Sequence, residues 1–108
     1  MNKLINSVIE LLKNLIEIES YSFQENKTAE RIEIWFKTNN IKFKRIKNNV
    51  FAFNKFFDSK KPTLLLNSHH DTVKPNKGYK NDPFKSYIKN GKLYGLGSND
   101  AGGALVSL

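Results

Sequence analysis

With 108 residues, 39% of them hydrophobic and 12% aromatic, the chain is one domain at most, with enough apolar content to fold but only a small core to bury. The absence of cysteine excludes a disulfide framework and a thiolate metal site, leaves histidine and carboxylate as the available metal donors, and suits a cytoplasmic setting. A formal charge of +8 would attract polyanions, but the lysines are scattered from Lys3 to Lys92 without an arginine-rich cluster, so no nucleic-acid partner is expected.

The first element is a helix. Leu4, Ile5, Val8, Ile9, Leu11, Leu12, Leu15 and Ile16 recur at three- and four-residue steps and form a wide apolar face within Leu4 to Ile18. Glu10, Lys13, Glu17 and Glu19 interrupt this segment, which excludes a signal peptide and a membrane span. Ser22 and Glu25 have capping-box spacing, and Ala29, Ile32, Trp35 and Phe36 supply the inward stripe of a second helix ending near Asn39-Asn40.

The period then changes to two. Ile41 to Arg45 alternates apolar and basic residues, and Val50 to Phe56 offers its hairpin partner. Asp58 to Pro62 is a turn by composition. Thr63-Leu64-Leu65-Leu66-Asn67 is apolar without alternation, which predicts a central strand covered on both faces. Tyr87 to Lys89 and Lys92 to Tyr94 flank Asn90-Gly91, a pair suited to a two-residue hairpin turn. Gly95, Gly97, Gly102 and Gly103 surround Asp100, and Ala104-Leu105-Val106 opens a further helix. The order of elements predicts an α/β layered domain with an incomplete sheet.

Ser68-His69-His70-Asp71 falls at the carboxyl end of the predicted central strand, where open α/β sheets place ligands. Side chains alternate along an extended segment, so His69 and Asp71 project to one side and His70 to the other. A metal-binding imidazole needs an acceptor for its second nitrogen, which a carboxylate two residues along can supply. His69 is therefore the candidate metal ligand and Asp71 its orienting partner. Asp100, in a glycine-rich loop before a helix, could approach a metal closely, although the same position also suits a helix cap.

The stretch Leu64 to Pro75, followed by Asp82-Pro83-Phe84 and by Gly91-Lys92-Leu93-Tyr94-Gly95-Leu96-Gly97-Ser98-Asn99-Asp100-Ala101-Gly102-Gly103, closely resembles a family of metallohydrolases. Its members include acetylornithine deacetylase, succinyl-diaminopimelate desuccinylase, aminoacylase and carboxypeptidase G2. The resemblance implies two zinc ions, with cobalt an alternative, of which His69 binds one and Asp100 bridges both. It gives Asp71 a catalytic role through the His69 ring. It further implies hydrolysis of the amide bond of a small N-acyl amino acid, with a glutamate beyond the bridging aspartate taking and delivering the proton.

The implied fold is the beginning of a zinc-exopeptidase-like α/β/α domain, two helices followed by part of a mixed sheet. Residues 1–108 are then expected to be the N-terminal portion of the catalytic domain, without the remainder of that domain or the smaller domain through which such enzymes commonly dimerise. Leu96 stands where many members have arginine, and Lys74 separates Val73 from Pro75. Both also look like features of an acetylornithine or succinylornithine deacetylase branch, which points to arginine biosynthesis. A dipeptidase or carboxypeptidase would use the same two motifs. A basic binding module without enzymatic activity is the reading from a different class, and salt-sensitive polyanion binding would mark it.

Overall fold

The computed structural model describes residues 2–108. Helix α1 spans Asn2–Ile16 and helix α2 spans Asn26–Thr38; strands β1 (Phe43–Ile46) and β2 (Asn49–Ala52) follow. Strands β3 (Tyr87–Lys89) and β4 (Lys92–Tyr94) precede a wide helical turn over Ser98–Gly102 and the short helix α3, Gly103–Ser107. Both strand pairs are antiparallel and belong to separate two-stranded sheets.

Helix α1 is central because its apolar stripe is the widest. Leu11, Leu12, Leu15 and Ile16 are buried, together with Ala29 and Ile32 of α2. Trp35, Phe36, Val50, Leu105 and Val106 pack around them, so α1 is covered by α2 on one flank and α3 on another. Polar contacts fix the angle between the long helices. Trp35 Nε1–H donates to Ser7 Oγ at 3.0 Å, and Arg31 Nε–H to Asn14 Oδ1 at 2.9 Å. The radius of gyration is 14.9 Å, against about 13 Å for a compact domain of this length, so much of the chain lies away from this core.

Helix α2 stops where its sequence says it should. Asn40 adopts φ +55°, its N–H donates to Lys37 C=O, and the Ile41 N–H donates to Phe36 C=O at 2.9 Å. These paired bonds satisfy the last carbonyls and turn the chain into β1. The predicted capping box at the other end does not form. Residue Glu25 occupies the cap position and accepts the Phe23 N–H at 2.6 Å, while the Ser22 hydroxyl turns to a different partner.

The β1–β2 register pairs Ile46 with Asn49, leaving Lys47-Asn48 as the turn, with Lys47 at φ +55°. Strand β2 ends at Ala52, short of the expected Phe56, because Asn54 Oδ1 accepts the Phe56 N–H and closes a local turn. The second hairpin matches expectation. Asn90 at φ +52° and Gly91 at φ +72° give the doubly positive turn that a twisted two-residue hairpin requires.

Two sequence expectations fail. Thr63–Asn67 pairs with no strand among the described residues, and Leu64, Leu65 and Leu66 are 82%, 81% and 56% exposed. A two-faced apolar strand needs a neighbour on each edge and a layer on each face, and no described residue supplies either. Instead of one mixed sheet there are two hairpins and a lone parallel bridge between Tyr21 and Thr72.

Candidate active site

Three segments converge on His69. The connection from α1 to α2 runs beside the segment that ends at Thr72. The Thr72 N–H donates to Ser20 C=O at 2.8 Å, and the Ser20 hydroxyl donates to His70 C=O at 2.9 Å. Ser20 is buried and lies just beyond α1, so the His69–Thr72 segment is tied to the core by backbone as well as side chain.

The third segment is the glycine-rich loop. Gly97 has φ +78°, and a Cβ there would fall 2.7 Å from Thr72 Cγ2. Only glycine lets the loop lie flat against Thr72, and that contact delivers Asp100 to His69. Asp100 itself leaves the helical conformation, with φ −120° and ψ 97°, and the peptide bond to Ala101 is cis. Gly102 caps α3 without a side-chain hydrogen bond, so Asp100 does not serve as the helix cap.

The His69 ring lies between two carboxylates. Its Nδ1 is 3.0 Å from Asp71 Oδ1 and 3.2 Å from the Asp71 carbonyl, and its Nε2 is 3.0 Å from Asp100 Oδ1. Every one of these oxygens can only accept, so both nitrogens are asked to carry a proton. Partial burial works against the charged ring, but the Asp71 and Asp100 contacts outweigh it and raise the His69 pKa. The Asp71 pKa moves down, chiefly because the Ser22 hydroxyl donates to Oδ2 and further because of the neighbouring His69.

His70 belongs to another environment. Its Nε2 donates to the Asn48 carbonyl at 2.9 Å, and its Nδ1 is 2.7 Å from Oγ1 of Thr28, which is fully buried. Thr28 also lies 3.0 Å from the Glu25 carbonyl. His70 thus joins α2 to the β1–β2 turn, while its neighbour faces the loop. Sequence reasoning did not place Ser22, Thr28 or Asn48 near the histidines. Ser22 had offered only a capping signal, and the other two carried none.

The donor chemistry of the pair suits a metal. Imidazole Nε2 and a carboxylate oxygen are zinc ligands, and a carboxylate on Nδ1 is the support that metal-binding histidines commonly have. Asp100 is 86% exposed, so nothing blocks an approaching ion. The number of donors is smaller than a complete site needs. Among the described residues no group of three or more His, Cys, Asp or Glu residues comes together to hold an ion.

The α/β chain thus brings a His-x-Asp triplet against an aspartate in a glycine-rich loop. The chain matches the model of peptidase family M20/M25/M40 over residues 65–108. Its relatives include the succinyl-diaminopimelate desuccinylase of Rickettsia bellii strain OSU 85-389, 33% identical over 106 residues that cover 88% of this chain and 26% of that protein. The desuccinylase of Wigglesworthia glossinidia brevipalpis is 33% identical over 109 residues, covering 94% of this chain and 28% of that protein. That of a Nitratiruptor species is 29% identical over 101 residues, 86% and 26% respectively. The chain therefore spans about a quarter of the length of the curated relatives it matches. No helix among the described residues is long and apolar enough to cross a membrane.

Proposed function

We propose that residues 1–108 supply one histidine and one aspartate as metal ligands to a metal-dependent hydrolase that cleaves the amide bond of an N-acyl amino acid. The observation that carries this reading is the His69 ring held by Asp71 on Nδ1 and presenting Nε2 to Asp100, each at 3.0 Å. His69 Nε2 and Asp100 Oδ1 would hold the ion, with zinc the first expectation and cobalt the alternative. When bound, such ions polarise a scissile carbonyl and strengthen water as a nucleophile at neutral pH. Asp71 keeps the Nδ1 proton in place, which leaves the Nε2 lone pair for the metal.

The desuccinylase relatives support an N-succinyl amino acid as substrate, whereas Leu96 and Lys74 were the reasons for expecting an acetylornithine-type deacetylase. We favour the wider class, a small N-acyl amino acid, over either branch. The chain corresponds to the beginning of a zinc-exopeptidase-like catalytic domain, and dimerisation and a cytoplasmic location follow the same family reading. Two donors are fewer than an open four-coordinate zinc site uses. By themselves the 108 residues are accordingly expected to bind zinc weakly and to hydrolyse no N-acyl amide.

The test substitutes the chain for the matching segment of the Rickettsia bellii desuccinylase and measures amine release from N-succinyl and N-acetyl amino acids with zinc or cobalt. His69→Ala and Asp100→Ala should each lower kcat/KM by more than the roughly 100-fold expected from loss of an outer support. Turnover that survives either substitution would refute the assignment. So would zinc affinity in the isolated chain that is unchanged by His69→Ala.

A further inference from the structure

Beyond the ligand pair, one hydrogen bond reaches His69 from a distant part of the chain. The Ser22 hydroxyl donates to Asp71 Oδ2 across 49 positions of sequence, while Asp71 Oδ1 faces His69 Nδ1 at 3.0 Å. Ser22 lies in the connection between α1 and α2, immediately after Ser20 and Tyr21, which are themselves fastened to His70 and Thr72. Its position relative to Asp71 is therefore set by backbone pairing and does not depend on a long flexible side chain.

A carboxylate on a rotatable bond can offer either oxygen to the imidazole, or turn both toward water. With Oδ2 engaged by Ser22, the carboxylate is held with Oδ1 toward Nδ1, beside the Asp71 carbonyl oxygen that lies 3.2 Å from the same nitrogen. The proton on Nδ1 then decides which ring nitrogen keeps its lone pair. From this we infer that Ser22 is a positioning residue for the metal site, acting through Asp71 to make Nε2 the nitrogen of His69 that binds zinc. The inference rests on the metal-binding reading of His69 given above.

Because Ser22 is exposed, removing its hydroxyl leaves no buried polar group without a partner, and folding should be little affected. The site readout is therefore separable from stability. The experiment titrates the 108-residue chain with zinc alone and follows the His69 ring by long-range ¹H–¹⁵N correlation at saturating zinc.

Wild type should bind zinc through Nε2 with Nδ1 protonated. Ser22→Ala should weaken zinc about tenfold, the lower end of the range for losing a carboxylate support, and give a mixture of Nδ1- and Nε2-bound rings. Ser22→Thr, which restores a hydroxyl, should recover both affinity and nitrogen choice, and Ser22→Cys, a weak donor of similar size, should fall between. Ser20→Ala loosens the same connection without touching Asp71 and should leave the nitrogen choice intact. If Ser22→Ala binds zinc through Nε2 alone with wild-type affinity, while His69→Ala abolishes binding, the role of Ser22 is overturned and the metal reading stands. If His69→Ala binds zinc as well as wild type, the metal reading fails and the role of Ser22 fails with it.

Discussion

Replacing Gly102 by alanine tests whether close packing against α1 is what delivers Asp100 to His69. A Cβ at position 102 would lie 2.5 Å from Leu12 Cδ1 and 2.6 Å from the Gly97 carbonyl oxygen. Leu12 is held in the core, and that same carbonyl accepts the Gly102 N–H at 2.8 Å, so neither atom can yield without a wider shift. The backbone of Gly102, at φ −58°, suits any residue, which makes the cost steric. Overpacking of this kind costs about 1–3 kcal/mol, and the displaced turn is the one that carries Asp100. Gly91→Ala provides the contrast, since its Cβ would meet nothing within 4 Å but its φ is +72°. That cost is purely conformational, about 1 kcal/mol, and arises far from the site. Gly103→Ala should be the mildest, because φ is −61° and the nearest atom, Ser98 O, is 3.2 Å away. Urea unfolding followed by the fluorescence of Trp35, the one tryptophan, should give midpoints that fall in the order Gly103→Ala, Gly91→Ala, Gly102→Ala. Zinc affinity should fall in Gly102→Ala alone. Equal midpoints for Gly91→Ala and Gly102→Ala, with zinc affinity unchanged in both, would refute the reasoning.

The pH dependence of the metal-free chain follows from opposite shifts at the site. Asp71 is lowered in the folded state, so its contribution to stability is present above the usual carboxylate range of about pH 4 and is lost as pH falls through its lowered value. His69 is raised, so its contribution is full below about pH 6.5 and is lost as pH rises through its raised value. Urea midpoints in chelator should therefore peak between these limits, and His69→Gln should flatten the alkaline side; an unaltered alkaline limb would contradict the assignment. Both side chains are partly open to water, so the amplitude should be small. Thr28→Val separates the two histidines by removing a fully buried hydroxyl that His70 Nδ1 and the Glu25 carbonyl share. It should destabilise the chain by about 1–3 kcal/mol while leaving zinc affinity at the wild-type value. A large loss of zinc affinity would instead place His70 at the metal.

What could be read from residue order depended on how far away the partner of each residue lay. The apolar stripes of α1 and α2 repeat within a few residues, and both helices were legible, as was the stop at Asn39-Asn40, which needs only the local αL turn at Asn40. Asn90-Gly91 declares its hairpin for the same reason. Thr63–Asn67 shows the limit: composition says that the run wants covering on both faces, but composition cannot provide the neighbours. At the site, alternation along the extended segment sorts His69 with Asp71 and apart from His70, because that geometry spans only three residues. Ser22 was read as a helix cap because Glu25 stands three residues on, and local spacing had no means of weighing a carboxylate 49 positions away. A cap would use the Ser22 oxygen as an acceptor for a backbone N–H at the start of α2, whereas here the hydroxyl is turned to donate to Asp71 Oδ2. The Glu25 carboxylate is likewise turned away from the Ser22 N–H that a capping box would give it: it accepts from the Phe23 N–H and from Asn48 Nδ2. With the start of α2 held in this way, the Ser22 hydroxyl is left for Asp71.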